Sequence, residues 1–387
     1  MTAVLIFTIL LFLIYTVLII YYHRGWVSIP GFRPPAKPAT TKISVIIPAR
    51  NEEENIGACL DSIVAQSYPT QSFEVLVVND HSTDRMGEIV NSYAGQNIRL
   101  IDLEDHIDGP LNAYKKKSIE VGIQRSTGQL IVTTDADCIM PADWLQTIAA
   151  FYELHNPAFI AAPVSIDCDN RFIELFQALD FMVLQGITGA AVHKKIHSMC
   201  NGANLAYEKA AFESVDGFKG IDKIASGDDM LLMHKIYKQF PGRVMYLKSK
   251  DAIVQTPPVN SISEFFQQRI RWASKADKFE DKSLFPVLLL VYLLNFMMLV
   301  IPLICIFNNA QFSIFNFQFS ILVAWLLMFI SKTLIELIFL YPVAKFFGKQ
   351  NMLTIFPLMQ PFHIVYTVIA GWLGKFGSYQ WKGRKVS

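Results

Sequence analysis

Apolar residues are laid out along this chain in two different ways. Residues 4–22 are apolar apart from Thr and Tyr hydroxyls, and residues 285–307 form a second such run. Each is long enough for the roughly 20 residues that one helical bilayer crossing needs. Residues 312–374 are mostly apolar with polar interruptions. Between these regions, over 43–255, short apolar runs alternate with stretches of helical period. "ISVIIPA" from Ile43 reads as a buried strand, "EENIGACLDSIVAQ" as an amphipathic helix, and "FEVLVVND" as a second strand ending in polar residues. A helix over 84–93 leads to the strand "IRLIDL", and a helix over 115–123 leads to "QLIVTTDAD". This alternation predicts a doubly wound α/β sheet with functional residues at the C-terminal ends of its strands.

The two regions meet at a third pattern. In "EFFQQRIRW", residues 264–272, Phe265, Phe266 and Ile270 give an apolar side, while Gln268, Arg271 and Trp272 share a face at i, i+3, i+4. Ser261 and Glu264 stand at capping-box spacing, so a helix is expected to start there and to lie in the membrane interface. The expected organisation is an N-terminal anchor (1–24), a proline-rich linker (25–42), an α/β domain (43–255), an interfacial helix (256–284), a membrane region (285–374) and a basic tail (375–387). Pro357 and Pro361 make the last apolar run the expected re-entrant or interfacial segment, after two crossings. Lys332 and Glu336, four apart in an apolar run, are expected to pair on a helix face turned from lipid.

Composition sharpens this outline. With 52% hydrophobic residues and only 17% charged, the chain is too apolar for an ordinary soluble protein. A net charge of +1 gives no reason to expect nucleic acid. The first run lacks a preceding positive charge and a small-residue cleavage site, so it is expected to be retained. His23, Arg24, Arg33 and Lys37 follow it, which places that flank and the α/β domain in the cytoplasm of a multi-pass cell-membrane protein. The five cysteines show no CxxC pair and no metal-ligand spacing.

Several strand-end residues are suited to chemistry. Asp135 and Asp137, at i and i+2 after "LIVTT", can direct hard oxygen ligands to a divalent cation, or stand in a solvated turn. About one DxD is expected by chance in a chain of this length, and Asp167-Cys168-Asp169 is a second copy. Asp80 can accept hydrogen bonds from a base or ribose. Lys115, Lys116 and Lys117 are either a phosphate contact or a solvated helix start. Asp228 and Asp229, before "MLLMHKIY", are either first-turn acids that favour the helix dipole or a general-base pair.

The order of "IIPARNEEENI", "VVNDHSTD", "TTDAD", "NGANLAY", "SGDD" and "QQRIRW" resembles the inverting family 2 glycosyltransferases of GT-A fold over residues 43–272. The Gln-x-x-Arg-Trp element resembles the signature of ceramide glucosyltransferases and of cellulose and hyaluronan synthases. The resemblance implies a GT-A, Rossmann-like nucleotide-diphospho-sugar transferase domain with transmembrane helices at both ends. It implies Asp229 as the general base on the acceptor hydroxyl. Asp135 and Asp137 would hold Mg²⁺ or Mn²⁺, and Asp80, Glu52, Lys116, Gln268 and Arg271 would contact the donor, expected to be a UDP-sugar. Trp272 and Asp228 would face the acceptor. Asn79, Asp228 and Tyr114 depart from the residues most frequent at those places. A membrane lipid is the expected acceptor. A processive polysaccharide synthase is one alternative, and a non-catalytic membrane or transport partner is another.

Overall fold

The computed structural model describes residues 2–387 except 108, 110, 170, 197–198, 225–226, 275–282, 309–310, 315–316, 377–378, 382–383 and 387. Lys382 of the basic tail therefore lies outside the described residues. The elements up to the middle of the chain are α1 (Thr2–Ser28), β1 (Ile43–Ala49), α2 (Ile56–Val64), β2 (Phe73–Asn79), α3 (Met86–Ser92), β3 (Ile98–Asp102), α4 (Tyr114–Arg125), β4 (Leu130–Thr133), α5 (Trp144–His155), β5 (Phe159–Ala161) and β6 (Val164–Ile166). Then come α6 (Phe172–Lys194), β7 (Leu205–Glu208), α7 (Lys209–Ser214), α8 (Met230–Gln239), β8 (Val244–Tyr246), β9 (Val254–Thr256), α9 (Ile262–Ala273), α10 (Leu284–Asn308), α11 (Ile321–Phe347) and α12 (Phe356–Phe376). Contacts divide the chain into two compact units.

One unit holds Ile29–Cys168 and Ala191–Pro258. Its centre is a seven-stranded sheet of order β3-β2-β1-β4-β7-β5-β8. β1 is parallel to β2 and β4, whereas β7 runs antiparallel to β4 and β5, so the sheet is mixed. β1 is buried at nearly every position, which explains its unbroken apolar run: helices cover both faces of a parallel sheet. α2 buries Ile56, Cys59, Leu60 and Ile63, spaced i, i+3, i+4, i+7, on one side. α4 approaches β1 closely at Gly122, where a Cβ would stand 2.6 Å from Ile46 Cγ2. Asn204 is fully buried and braces this unit. Its amide donates to the Pro163 and Ala252 carbonyls at 2.8 Å each and accepts from Trp144 Nε1 at 3.0 Å.

The other unit holds Met1–Ser28, Asp169–Ala190 and Val259–Ser387. Residues 169–190, which sequence patterning places within the α/β domain, group here with the apolar helices. Four described helices are long and apolar enough to cross a membrane: Ala3–Ser28, Phe172–Lys194, Leu284–Cys305 and Ile321–Phe347. The second of these was not singled out in the sequence, and it is mostly buried inside the protein rather than exposed for lipid. α12, with Pro361, Gln360 and His363 in its run, is not among the four. Two of the four candidate spans, Leu284–Cys305 and Ile321–Phe347, therefore precede α12 in the chain. Lys332 and Glu336 do pair, at 2.6 Å, and both are buried. Gln360 joins them by accepting from Lys332 at 3.1 Å and donating to Glu336 at 2.5 Å, and Tyr15 donates to Glu336 at 2.5 Å. α1, α11 and α12 are thereby tied through one satisfied polar network.

Candidate active site

The C-terminal ends of β1, β2 and β4 carry loops because each strand passes there into a helix on the sheet's face. The loop after β1 and the loop after β2 are laced together. Asn51 N–H donates to Ser82 Oγ at 3.0 Å, Thr83 N–H to Asn51 Oδ1 at 2.8 Å, and Glu53 N–H to Asp84 Oδ2 at 2.9 Å. Asn51 and His81 both take left-handed backbone, at φ 51° and 54°. Asp80 is buried between them, with Oδ1 2.9 Å from His81 Nδ1 and 3.9 Å from Arg50 Nη1. Arg50 also donates to the Asp80 carbonyl at 2.9 Å. Glu52 lies in the first loop, where its Oε2 accepts from Asn55 Nδ2 at 2.8 Å. Asn79, the departure noted in the sequence, accepts from Ser82 N–H and donates to Asp102, so its amide shapes the loop.

Asp135 and Asp137 follow β4, the sheet's fourth strand, and both are half-buried. Lys115 reaches Asp135 Oδ1 at 2.7 Å and Asp228 Oδ2 at 3.4 Å, joining the end of β4 to the segment before α8. Asp229 is the N-cap of α8: Oδ1 accepts from Met230 N–H at 2.7 Å and Oδ2 from Gly202 N–H at 3.3 Å. Gly202, from "NGANLAY", faces the same cluster, since a Cβ there would stand 3.1 Å from Lys115 Nζ and 3.2 Å from Asp228 Oδ2. Asp135, Asp228, Asp229, Lys115 and Gly202 thus converge, although they are far apart in sequence.

The electrostatics follow from this grouping. Burial works to lower the Lys115 pKa, but Asp135 and Asp228 outweigh it and raise the value, so the ammonium stays charged. Cys59 and Cys138 pack beneath the acids, with Cys138 Sγ 3.6 Å from Asp137 Oδ1 and Cys59 Sγ 3.8 Å from the Asp135 carbonyl. Burial, then the charges of Asp137 and Asp135, push both thiols up, so they stand as neutral packing groups rather than thiolate ligands. The donor set around Asp135 and Asp137 is of hard oxygens. Among the described residues no three His, Cys, Asp or Glu side chains group as a closed metal cage. One or two carboxylates plus substrate phosphates is the usual provision for Mg²⁺, and the two aspartates fit it.

The structure places Lys116 away from this cluster. Its side chain is buried and its Nζ donates to the carbonyls of Ile221 at 2.9 Å and Ile224 at 2.6 Å. Lys115 is the lysine on the acids, a residue that the run of three does not distinguish. The second DxD, at Asp167, follows β6, which pairs with β9 outside the seven-stranded sheet. Gln268, Arg271 and Trp272 lie on α9 in the other unit and are half-buried. Ser261 caps α9 by accepting from Glu264 N–H at 3.1 Å, and Glu264 accepts in return from Asn260 N–H, one residue before the cap.

Residues 44–216 match the family model "Glycosyl transferase family 2". A probable glycosyltransferase of Bacillus subtilis, YdaM, is 29% identical over 259 residues, 64% of this chain and 57% of its own length. Glycosyltransferase AglE of Haloferax volcanii is 37% identical over 106 residues, 27% of this chain and 33% of its own. The 4,4'-diaponeurosporenoate glycosyltransferase of Staphylococcus aureus is 31% identical over 138 residues, 35% of each chain. The chain therefore spans between a third and somewhat over half the length of these relatives. In structure, the mannosyltransferase PcManGT of Pyrobaculum calidifontis, solved with GDP-Man and Mn²⁺, aligns at a TM-score of 0.58 and 19% identity, over 93% of this chain and 99% of that one. The α/β domain is of GT-A fold, residues 44–216 match the family 2 model, and the chain adds apolar helices able to cross a membrane.

Proposed function

We propose that the chain transfers a sugar from a nucleotide-diphospho-sugar to a membrane lipid, with inversion at the anomeric carbon. The observation that carries this reading is the convergence of Asp135, Asp228, Asp229 and Lys115 at the end of β4, inside the segment that matches family 2. Asp229 is the general base. The backbone N–H of Met230 at the start of α8 and that of Gly202 before β7 hold its carboxylate in one orientation, and each oxygen keeps a lone pair for the acceptor hydroxyl proton. Asp80 and the loops laced around it form the nucleoside side of the site, and Glu52 belongs to the same loops. Lys115 places a fixed positive charge beside the departing diphosphate and keeps Asp135 and Asp228 from repelling one another. Asp135 and Asp137 would hold Mg²⁺ or Mn²⁺, which when bound supplies charge neutralisation for the diphosphate. Gln268 and Arg271 are assigned to the diphosphate and Trp272 to the acceptor, on the strength of the Gln-x-x-Arg-Trp spacing. A lipid acceptor is favoured by the apolar helices, three of them largely unburied within the protein. The proposed setting is the cytoplasmic membrane with the α/β domain in the cytoplasm, as the basic flank after α1 favours.

Membranes containing the wild type or Asp229→Asn, incubated with Mg²⁺ or Mn²⁺ and a panel of labelled UDP-sugars and GDP-mannose, test this. Label in the organic extract, reduced at least about 100-fold in the variant, is expected for a general base. Label in high polymer would identify a processive synthase, and no transfer by the folded wild type would overturn the enzymatic reading.

A further inference from the structure

We propose that Arg269 and Asp180 are positioning residues that set the indole of Trp272 and the amide of Gln268, an inference that rests on the assignment of α9 to sugar transfer. Among the polar residues of "QQRIRW", Arg269 is the buried one. Its guanidinium carbon lies 4.7 Å from the centroid of the Phe265 ring and 4.2 Å from that of Trp272. Residues 265, 269 and 272 fall at i, i+4 and i+7, so the helix itself stacks them, ring, cation, ring. Arg269 Nη1 also donates to Gln268 Oε1 at 3.2 Å. The cation is fixed from its far side by Asp180 of α6, whose Oδ2 is 2.7 Å from Arg269 Nη2, both side chains being 4% exposed. Asp180 is fixed in turn: its Oδ1 accepts from Tyr366 of α12 at 2.6 Å and lies 3.4 Å from His363 Nδ1.

Such a pair is poorly explained by stability, because a buried ion pair contributes little beyond what an apolar pair of like volume would. It is well explained by orientation. Asp180 holds the cation by charge, Phe265 and Trp272 lie against the flat guanidinium and so set its plane, and Arg269 Nη1 turns the Gln268 amide. Two side chains assigned to donor and acceptor are thereby held by one buried group. A lysine would keep the charge and lose the plane.

Labelling the six tryptophans with 5-fluorotryptophan gives a direct readout. The ¹⁹F resonance of Trp272, identified by its loss in Trp272→Phe, is expected to move in Arg269→Lys and Asp180→Asn while the other five stay in place. With the donor that the wild type uses and native membrane lipids as acceptor, each of these variants is expected to lower kcat about 10- to 100-fold, the loss typical of a misplaced group, and to raise donor KM through the Gln268 amide. Arg269→Lys is expected to add less loss in the Trp272→Phe background than in the wild type, the remainder acting through Gln268. An unmoved Trp272 resonance, movement of all six, or additive losses in the double variant would overturn the proposal. If the wild type transfers no sugar the functional reading fails, and the ¹⁹F spectrum still decides whether Arg269 and Asp180 set Trp272.

Discussion

Two adjacent lysines at the start of α4 have opposite fates, because successive residues on a helix point about 100° apart. Lys115 Nζ lies on Asp135 and Asp228, and Lys116 Nζ is enclosed by the Ile221 and Ile224 carbonyls. Their replacement by methionine, which keeps the length and removes the charge, is therefore expected to separate chemistry from folding. Lys115→Met should lower sugar transfer at least about 10-fold with little change in Tm, since it removes charge stabilisation at the leaving group. Lys116→Met should lower Tm by several degrees, since it removes the buried donor to the Ile224 carbonyl, at about 1–3 kcal/mol, and one of two donors to the Ile221 carbonyl, which keeps the Ile224 N–H. Parallel activity and thermal-unfolding measurements on the two variants would show the reverse pattern if the assignment were wrong. Asp135 and Asp137 were legible in the sequence because a DxD that ends a buried strand has a defined place in an alternating sheet. The choice among three lysines was not, because a run of like residues carries no phase.

Among the elements, the sheet is tied at the end opposite the site by one carboxylate. Glu74 on β2 accepts from Ser44 Oγ of β1 at 2.7 Å, from Thr127 N–H and Oγ1 before β4 at 2.6 and 2.8 Å, and from Arg99 of β3 at 2.6 Å. Burial alone would raise its pKa, but these donors outweigh burial and hold it below the ordinary 4.5. A carboxylate with a depressed folded-state pKa contributes stability that is complete above its unfolded value and is lost as pH falls through the folded one. Glu74→Gln is therefore expected to lower Tm above pH 4.5 and to converge with the wild type in more acidic solution. A Tm difference that stayed constant from neutral pH down through that range would refute this account. The strands and helices around Glu74 follow from hydrophobic period. α6 does not: it is apolar over most of its circumference, and its polar residues Glu174, Gln177, Asp180, Gln185 and Thr188 are buried as well, so no face marked its neighbours in advance.

Across the whole molecule, the apolar helices are joined by charge as well as by packing. Lys332, Glu336, Gln360 and Tyr15 satisfy one another in an otherwise apolar setting. Lys332→Met alone should destabilise the detergent-solubilised protein by about 3–5 kcal/mol because it leaves Glu336 charged and unpaired. Lys332→Met with Glu336→Gln should recover much of that loss, and thermal unfolding of the single and double variants would reveal additive losses if the pair were not coupled. The sequence by itself determined the apolar runs, the strand and helix alternation, the strand-end acids and the cap of α9. These depend on local period and on the chemistry of residues close together in the chain. Only the tertiary structure decided that β7 enters the sheet antiparallel, that Lys115 rather than Lys116 meets the acids, and that Asp180 holds Arg269. Each of those is a contact between residues distant in the chain, and local pattern carries no information about which distant partner a buried charge will find.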